Sequence, residues 1–262
     1  MTHRDGALYK IWRILYPLLI YFLLDTIIVW AAQALLSYPV SEHPGTVSAI
    51  ASIIFLIASI VICGYLYRRD SNAWAVWIYR KPQYFALLVL IGMLASHGLS
   101  ALVSLAQIDQ IVGDYTEIQA AVFNASPVLV IVQTVVLAPV SEELLFRGIL
   151  YNRLEKCFGG FWAPALISSA IFGVYHFNLA QGIFAFLFGL LACAVYDKVR
   201  NLWASMALHI GANLLSVILV YTGFDYPNTV FYIVGMIAAL AIAWALYHFL
   251  IRPVRKWTDA EV

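Results

Sequence analysis

Long apolar stretches, separated by short polar ones, repeat along almost the whole chain. Eight of them approach or reach membrane length: 11–36, 47–67, 83–106, 127–152, 161–177, 181–197, 202–222 and 229–251. A helix needs about 20 apolar residues to cross a hydrocarbon core of about 30 Å. Most of the stretches reach that length, and the fifth and sixth are shorter. Alternating strands of the kind that build membrane barrels are absent. The pattern predicts an all-α, polytopic membrane protein of eight transmembrane helices forming a single domain over residues 1–262.

The basic residues test this count. Arg4, Lys10 and Arg13 flank span one; Arg68, Arg69, Arg80 and Lys81 lie around the connection of spans two and three. Arg153 and Lys156 follow span four, Lys198 and Arg200 follow span six, and Arg252, Arg255 and Lys256 follow span eight. The connections on the other side hold Glu42, Asp109, Asp114, Glu117 and Asp225, with no lysine or arginine. Of 15 basic residues, only Arg147 stands outside this pattern. The positive-inside rule then places both termini and every basic connection in the cytoplasm.

Smaller features fill in the connections. Residues 70–82 mix Trp74, Trp77 and Tyr79 with charge and read as a cytoplasmic interfacial segment. Residues 107–126 are acidic and partly amphipathic on the outer side. Gly159-Gly160 separates spans four and five, and Pro227-Asn228 turns the chain between seven and eight. Trp12, Trp30, Trp162, Trp203 and Trp257 sit mostly at span ends, as in an aromatic belt. No internal repeat or low-complexity tract stands out.

Composition agrees: 63% of the residues are hydrophobic and 11% charged, against roughly 45–50% apolar in soluble domains. The net charge of +1 and the lack of a basic block give no reason to expect nucleic acid. Cys63, Cys157 and Cys193 are odd in number and unclustered, which argues against a disulfide framework or a thiolate metal site. The first apolar run is too long for a cleavable signal peptide and reads as span one.

Ionisable groups at membrane depth are costly, so those inside the spans are candidates for function. Span four holds Glu142, Glu143 and Arg147. Glu143 and Arg147 are four residues apart, share a face and can pair. Glu142 is rotated about 100° away and is left free to act as a base. Span five places Phe172 and His176 on one face, and span seven does the same with His209 and Asn213. Histidine can hold or relay a proton near neutral pH, and an asparagine amide can donate to a developing oxyanion. Such a set is the minimum for water attack on an amide.

These three motifs, Glu142-Glu143-x-x-x-Arg147, Phe172-x-x-x-His176 and His209-x-x-x-Asn213, resemble in order and spacing those of the CPBP (Abi) family of intramembrane proteases. That family includes the type II CAAX prenyl endopeptidases. The resemblance covers the region of about residues 125–222, taken as the protease core. It implies an eight-helix core around a polar cavity that opens to the cytoplasm. It also implies catalytic roles for Glu142, His176, His209 and Asn213, with Glu142 and His176 activating water and His209 and Asn213 holding the oxyanion. Glu143, Arg147 and Phe172 would support them. No cofactor is expected, and zinc held by Glu142, His176 and His209 is the minority alternative. The expected partners are membrane lipids and a peptide or lipidated protein substrate, and the expected location is a prokaryotic plasma membrane.

Counting helix rise from the cytoplasmic ends puts Glu142 about 15 Å deep, His209 about 10 Å and His176 about 22 Å. They meet if spans five and six form a hairpin whose tip stops short of the outer surface, so that Asn178 and Gln181 line the cavity. Asp25 and His97 lie near outer helix ends and read as structural, while Gln133 and Ser141 are possible lining residues. Two other readings stay open: a proton-coupled transporter, for which buried Glu, Arg and His are also suited, and a non-catalytic immunity or scaffold protein.

Overall fold

A computed structural model describes residues 6–35, 44–70, 82–106, 123–224 and 229–250. Among these, the long elements are helices: α1 (Ala7–Leu35), α2 (Pro44–Asp70), α3 (Pro82–Leu105), α4 (Pro127–Phe158), α5 (Trp162–Tyr175), α6 (Leu179–Val199), α7 (Leu202–Thr222) and α8 (Thr229–Leu250). They match the eight apolar stretches one for one. Six are long and apolar enough to span a membrane, and α5 and α8 supply shorter apolar segments. The segment 71–81, most of 107–126 and the Pro227-Asn228 turn lie outside the described residues.

Apolar side chains cover the outside as well as the core. Leu23, Ile27 and Trp30 of α1 and Ile237 and Trp244 of α8 are exposed. Lipid, unlike water, imposes no cost on such faces, and helices satisfy their backbone groups internally.

The helix α4 is the centre of the bundle and packs against α1, α2, α5, α6 and α7. It runs past the predicted end at residue 152 to Phe158. The extension is held by Arg153, whose Nε donates to Asp70 Oδ2 at 2.5 Å and whose Nη2 donates to the Tyr16 hydroxyl at 2.7 Å. Gly159 then ends it with a positive φ of 68°, a backbone conformation that glycine adopts readily.

Inside α4, the stretches Ile131–Leu137 and Leu144–Tyr151 are π-helical and bracket the α-helical Ala138–Glu143. Pro139 lacks an N–H and cannot close an ordinary turn. Just before it, the Ala138 N–H reaches back to the Gln133 carbonyl, a wider turn. Wide turns of this kind often occur at functional sites.

Two pairs of helices meet backbone to backbone through glycine. A Cβ on Gly92 of α3 would lie 1.9 Å from the Leu208 carbonyl oxygen, and one on Gly211 of α7 would lie 2.0 Å from that of Val89. Gly173 of α5 and Gly182 of α6 face each other in the same way, at 2.6 and 2.9 Å. Small residues allow this close approach, which is a main source of helix association in lipid. The α3–α7 contact fixes the helix carrying His209 and Asn213. The α5–α6 contact fixes the turn carrying His176.

Gly92→Ala and Gly211→Ala are therefore expected to destabilise the protein by about 1–3 kcal/mol or more. A fall in thermal unfolding temperature in detergent measures this. Gly64, which has no atom within 4 Å of an added Cβ, should accept alanine with no such fall.

Candidate active site

The site forms where α4, α5, α6 and α7 meet. Glu143 and Arg147 lie beneath it, fully buried. Arg147 Nη1 donates to Glu143 Oε1 at 2.8 Å, and Nη2 donates to the Gly189 carbonyl of α6 at 3.1 Å. The guanidinium also stands 4.8 Å from the Phe172 ring centroid, a cation–π contact. Gly189 allows this approach, since a Cβ there would come within 3.3 Å of Arg147 Nη2.

The same Glu143 oxygen serves α7. His209 Nδ1 lies 2.9 Å from Glu143 Oε1. A carboxylate can only accept, so Nδ1 carries the hydrogen and Nε2 is left to face the cavity. There it is 3.8 Å from Glu142 Oε2, beyond direct hydrogen-bond range. His176 is set in a similar way: Nδ1 is 2.8 Å from the Phe172 carbonyl, which again only accepts. In the neutral ring, His176 Nε2 therefore has a free lone pair.

These groups share one cavity of about 490 Å³, lined by Glu142, His176, His209 and Asn213, with Phe172, Tyr175, Phe184 and Phe188 among its apolar walls. The volume is in the range of small-molecule and peptide-side-chain pockets. All four expected catalytic residues are thus brought together. Glu143 and Arg147 are absent from the lining, which fits a supporting place beneath the wall.

Asn213 is only half as free as expected: its amide Nδ2 donates to the Thr134 carbonyl at 2.7 Å. That leaves one of its two amide hydrogens for the cavity. Of the predicted hairpin-tip residues, Gln181 lines the cavity. Asn178 does not: it caps α6, its Oδ1 accepting from the Gln181 N–H at 3.0 Å. With 14 residues, α5 rises only about 21 Å, short of a full crossing.

Some residues were read differently from the sequence. Asp25 lines the cavity together with Phe22, so it is not merely a residue at a helix end. Gln133 also lines it, whereas Ser141 is fully buried and bonds instead to Tyr21 (3.2 Å) and Ser59 (2.5 Å). Thr134 and Gly189, which orient Asn213 and Arg147 by their carbonyls, carry no side-chain signal of that role. Among the described residues, no three His, Cys, Asp or Glu side chains are grouped so as to hold a metal ion.

The cavity draws its lining from the parts of the helices away from the basic connections. Gln133 and Thr134 lie in the first third of α4, Ser216 and Val217 near the end of α7, and Phe177 and Gln181 at the α5–α6 turn. All of these are helix ends away from Arg153, Lys198 and Arg200.

Residues 124–215 match the model of the type II CAAX prenyl endopeptidase Rce1-like family. This stretch is thus similar to the protease family that the motifs resemble. It contains all three motifs. The "Putative membrane peptidase YdiL" of Bacillus subtilis (strain 168) is 32% identical over 98 residues, which are 37% of this chain and 39% of that protein. The chain thus matches about two fifths of the length of that curated relative. No solved structure matches it.

The geometry predicts that Glu143 is costly to leave alone. Removal of one partner of a buried ion pair typically costs about 3–5 kcal/mol. Arg147→Met should lower the unfolding temperature sharply, and the double variant Glu143→Gln, Arg147→Met should recover part of the loss.

Proposed function

We propose that the protein is a membrane-embedded endopeptidase in which Glu142 activates water for attack on a peptide carbonyl. The observation that supports this most is that Glu142, His176, His209 and Asn213, from three separate helices, stand on the wall of one cavity. The family match and the similarity to a membrane peptidase point the same way.

In this mechanism, Glu142 takes a proton from water as the water oxygen bonds to the carbonyl carbon. The free Nε2 of His176 holds the water or passes the proton on. His209 Nε2, when protonated, and the remaining amide hydrogen of Asn213 face the oxyanion. The carbon–nitrogen bond then breaks, and the leaving amine takes the proton from Glu142. Glu143 keeps the His209 ring in one orientation, and Arg147 balances the charge of Glu143. The chemistry needs no cofactor. The substrate would be a peptide or a lipidated protein tail that reaches the site from the membrane. We infer both cytoplasmic termini from the charge distribution, and a prokaryotic plasma membrane from the similarity to a bacterial membrane peptidase.

The structure offers less to a transporter. Below Glu142, the residues Leu145, Phe146, Ile149 and Leu150 of α4 are at most 1% exposed. This packed floor, which also holds the buried Glu143–Arg147 pair, closes the cavity on one side.

Purified protein in detergent should cleave members of a library of quenched peptides, prenylated and plain. Glu142→Gln should lose about 10²–10⁴-fold in rate, the usual contribution of a general base. His176→Ala should fall similarly, and a zinc chelator should leave the wild type active. Cleavage that survives in Glu142→Gln would refute the glutamate mechanism, and loss with chelator would transfer it to a metal.

A further inference from the structure

A second, smaller cavity of about 160 Å³ lies between the start of α1 and the end of α4. Lys10 and Arg13 of α1 and Arg153 and Lys156 of α4 line it, together with Tyr9 and Cys157. No carboxylate lines it among the described residues. A single ordered water needs only about 10–15 Å³, so there is room for a larger guest.

The fold builds this cluster. Arg153 is 4% exposed and fully engaged: Nε donates to Asp70 Oδ2 at 2.5 Å, Nη2 to the Tyr16 hydroxyl at 2.7 Å and Nη1 to the Arg13 carbonyl. Arg13 Nη2 donates to Asp70 Oδ1 at 2.8 Å, and Lys156 Nζ reaches the Asp70 carbonyl at 3.4 Å. The next acid along α4, Glu155, is taken by Arg200, with both of its oxygens accepting at 2.7 Å. Four cations therefore share the one carboxylate of Asp70, an excess of three positive charges. Like charges held this close repel one another, and an anion between them removes the repulsion. The Lys10 side chain makes no hydrogen bond or ion pair among the described residues, so its ammonium is available to a guest.

We propose that this pocket is a binding site for a phosphate-bearing anion, either the headgroup of an anionic phospholipid or free phosphate. Phosphate oxygens accept several hydrogen bonds at once, and Lys10, Lys156, the Tyr9 hydroxyl and the remaining guanidinium hydrogens of Arg13 can supply them. Arg153, with its nitrogens already used, contributes charge. Basic pockets between membrane helices receive phosphorylated headgroups in this way. Trp12 near the start of α1 and Trp162 beyond the end of α4 are 56% and 70% exposed, as at the headgroup level of a bilayer. A bound anion would brace α1 against the helix that carries Glu142.

Cys157 reports occupancy directly, because it lines the pocket and is exposed, while Cys63 and Cys193 are buried. The purified full chain in neutral detergent is treated with N-ethylmaleimide at constant ionic strength. The additions are chloride, inorganic phosphate, phosphatidylglycerol or phosphatidylcholine. An anion at about ten times its dissociation constant leaves about one site in eleven empty, so Cys157 should react about tenfold more slowly. Slowing by inorganic phosphate identifies a free anion, and slowing by phosphatidylglycerol alone identifies a lipid headgroup. Phosphatidylcholine, whose phosphate is neutralised by choline, should not protect. The double variant Lys10→Gln, Lys156→Gln should lose the protection. Both lysines are exposed, and Lys10→Gln alone, which breaks no contact among the described residues, should weaken it severalfold if the double variant folds poorly. Labelling unchanged by both phosphate and phosphatidylglycerol would overturn the proposal. Equal protection by phosphatidylcholine, or protection that persists without the lysines, would do the same.

Discussion

A carboxylate buried among lipid-facing helices has no water to serve it, so the protein must serve it instead. Glu143 is fully buried, and one of its oxygens accepts from both Arg147 and His209. Through this atom, α4 is bound to α7. Through the other arm of Arg147, it is bound to the backbone of α6. Three helices are thus referenced to one charge. Side chains that meet there cannot shift much without leaving that charge unpaired, which is a strong restoring force in a medium of low dielectric.

The rest of the packing supports this reference point. The glycine contacts bring α3 against α7 and α5 against α6 at backbone distance. Aromatic rings fill the remaining space: Phe172 and Phe188 stand 5.9 and 5.3 Å from the His209 ring, and Phe172 stands 4.9 Å from that of His176. The two histidines are held by different means, one by a carboxylate and one by a backbone carbonyl. Both leave the same ring nitrogen, Nε2, facing the cavity.

Much of this was legible in the chain. Hydropathy located all eight helices, and the four-residue spacings correctly paired Glu143 with Arg147 and separated Glu142 from both. Those features depend on local geometry, which sequence reports directly. What was not legible depends on contacts between distant segments. Asp25 looked like an acid near a helix end, because only packing shows that α1 borders the cavity. The hold of the Thr134 carbonyl on Asn213 was not legible, because that carbonyl belongs to a π-helical stretch with no sequence sign beyond Pro139.

The closed floor has an electrical consequence. A hydrated cavity conducts, whereas the packed layer of Leu145, Phe146, Ile149 and Leu150, with the buried Glu143–Arg147 pair among them, conducts far less. Most of a membrane voltage would then drop across that layer, at about 2.3 kcal/mol per charge per 100 mV, and little of it between the mouth and Glu142. The carboxylate would exchange protons with the bath at the mouth, nearly blind to the membrane potential.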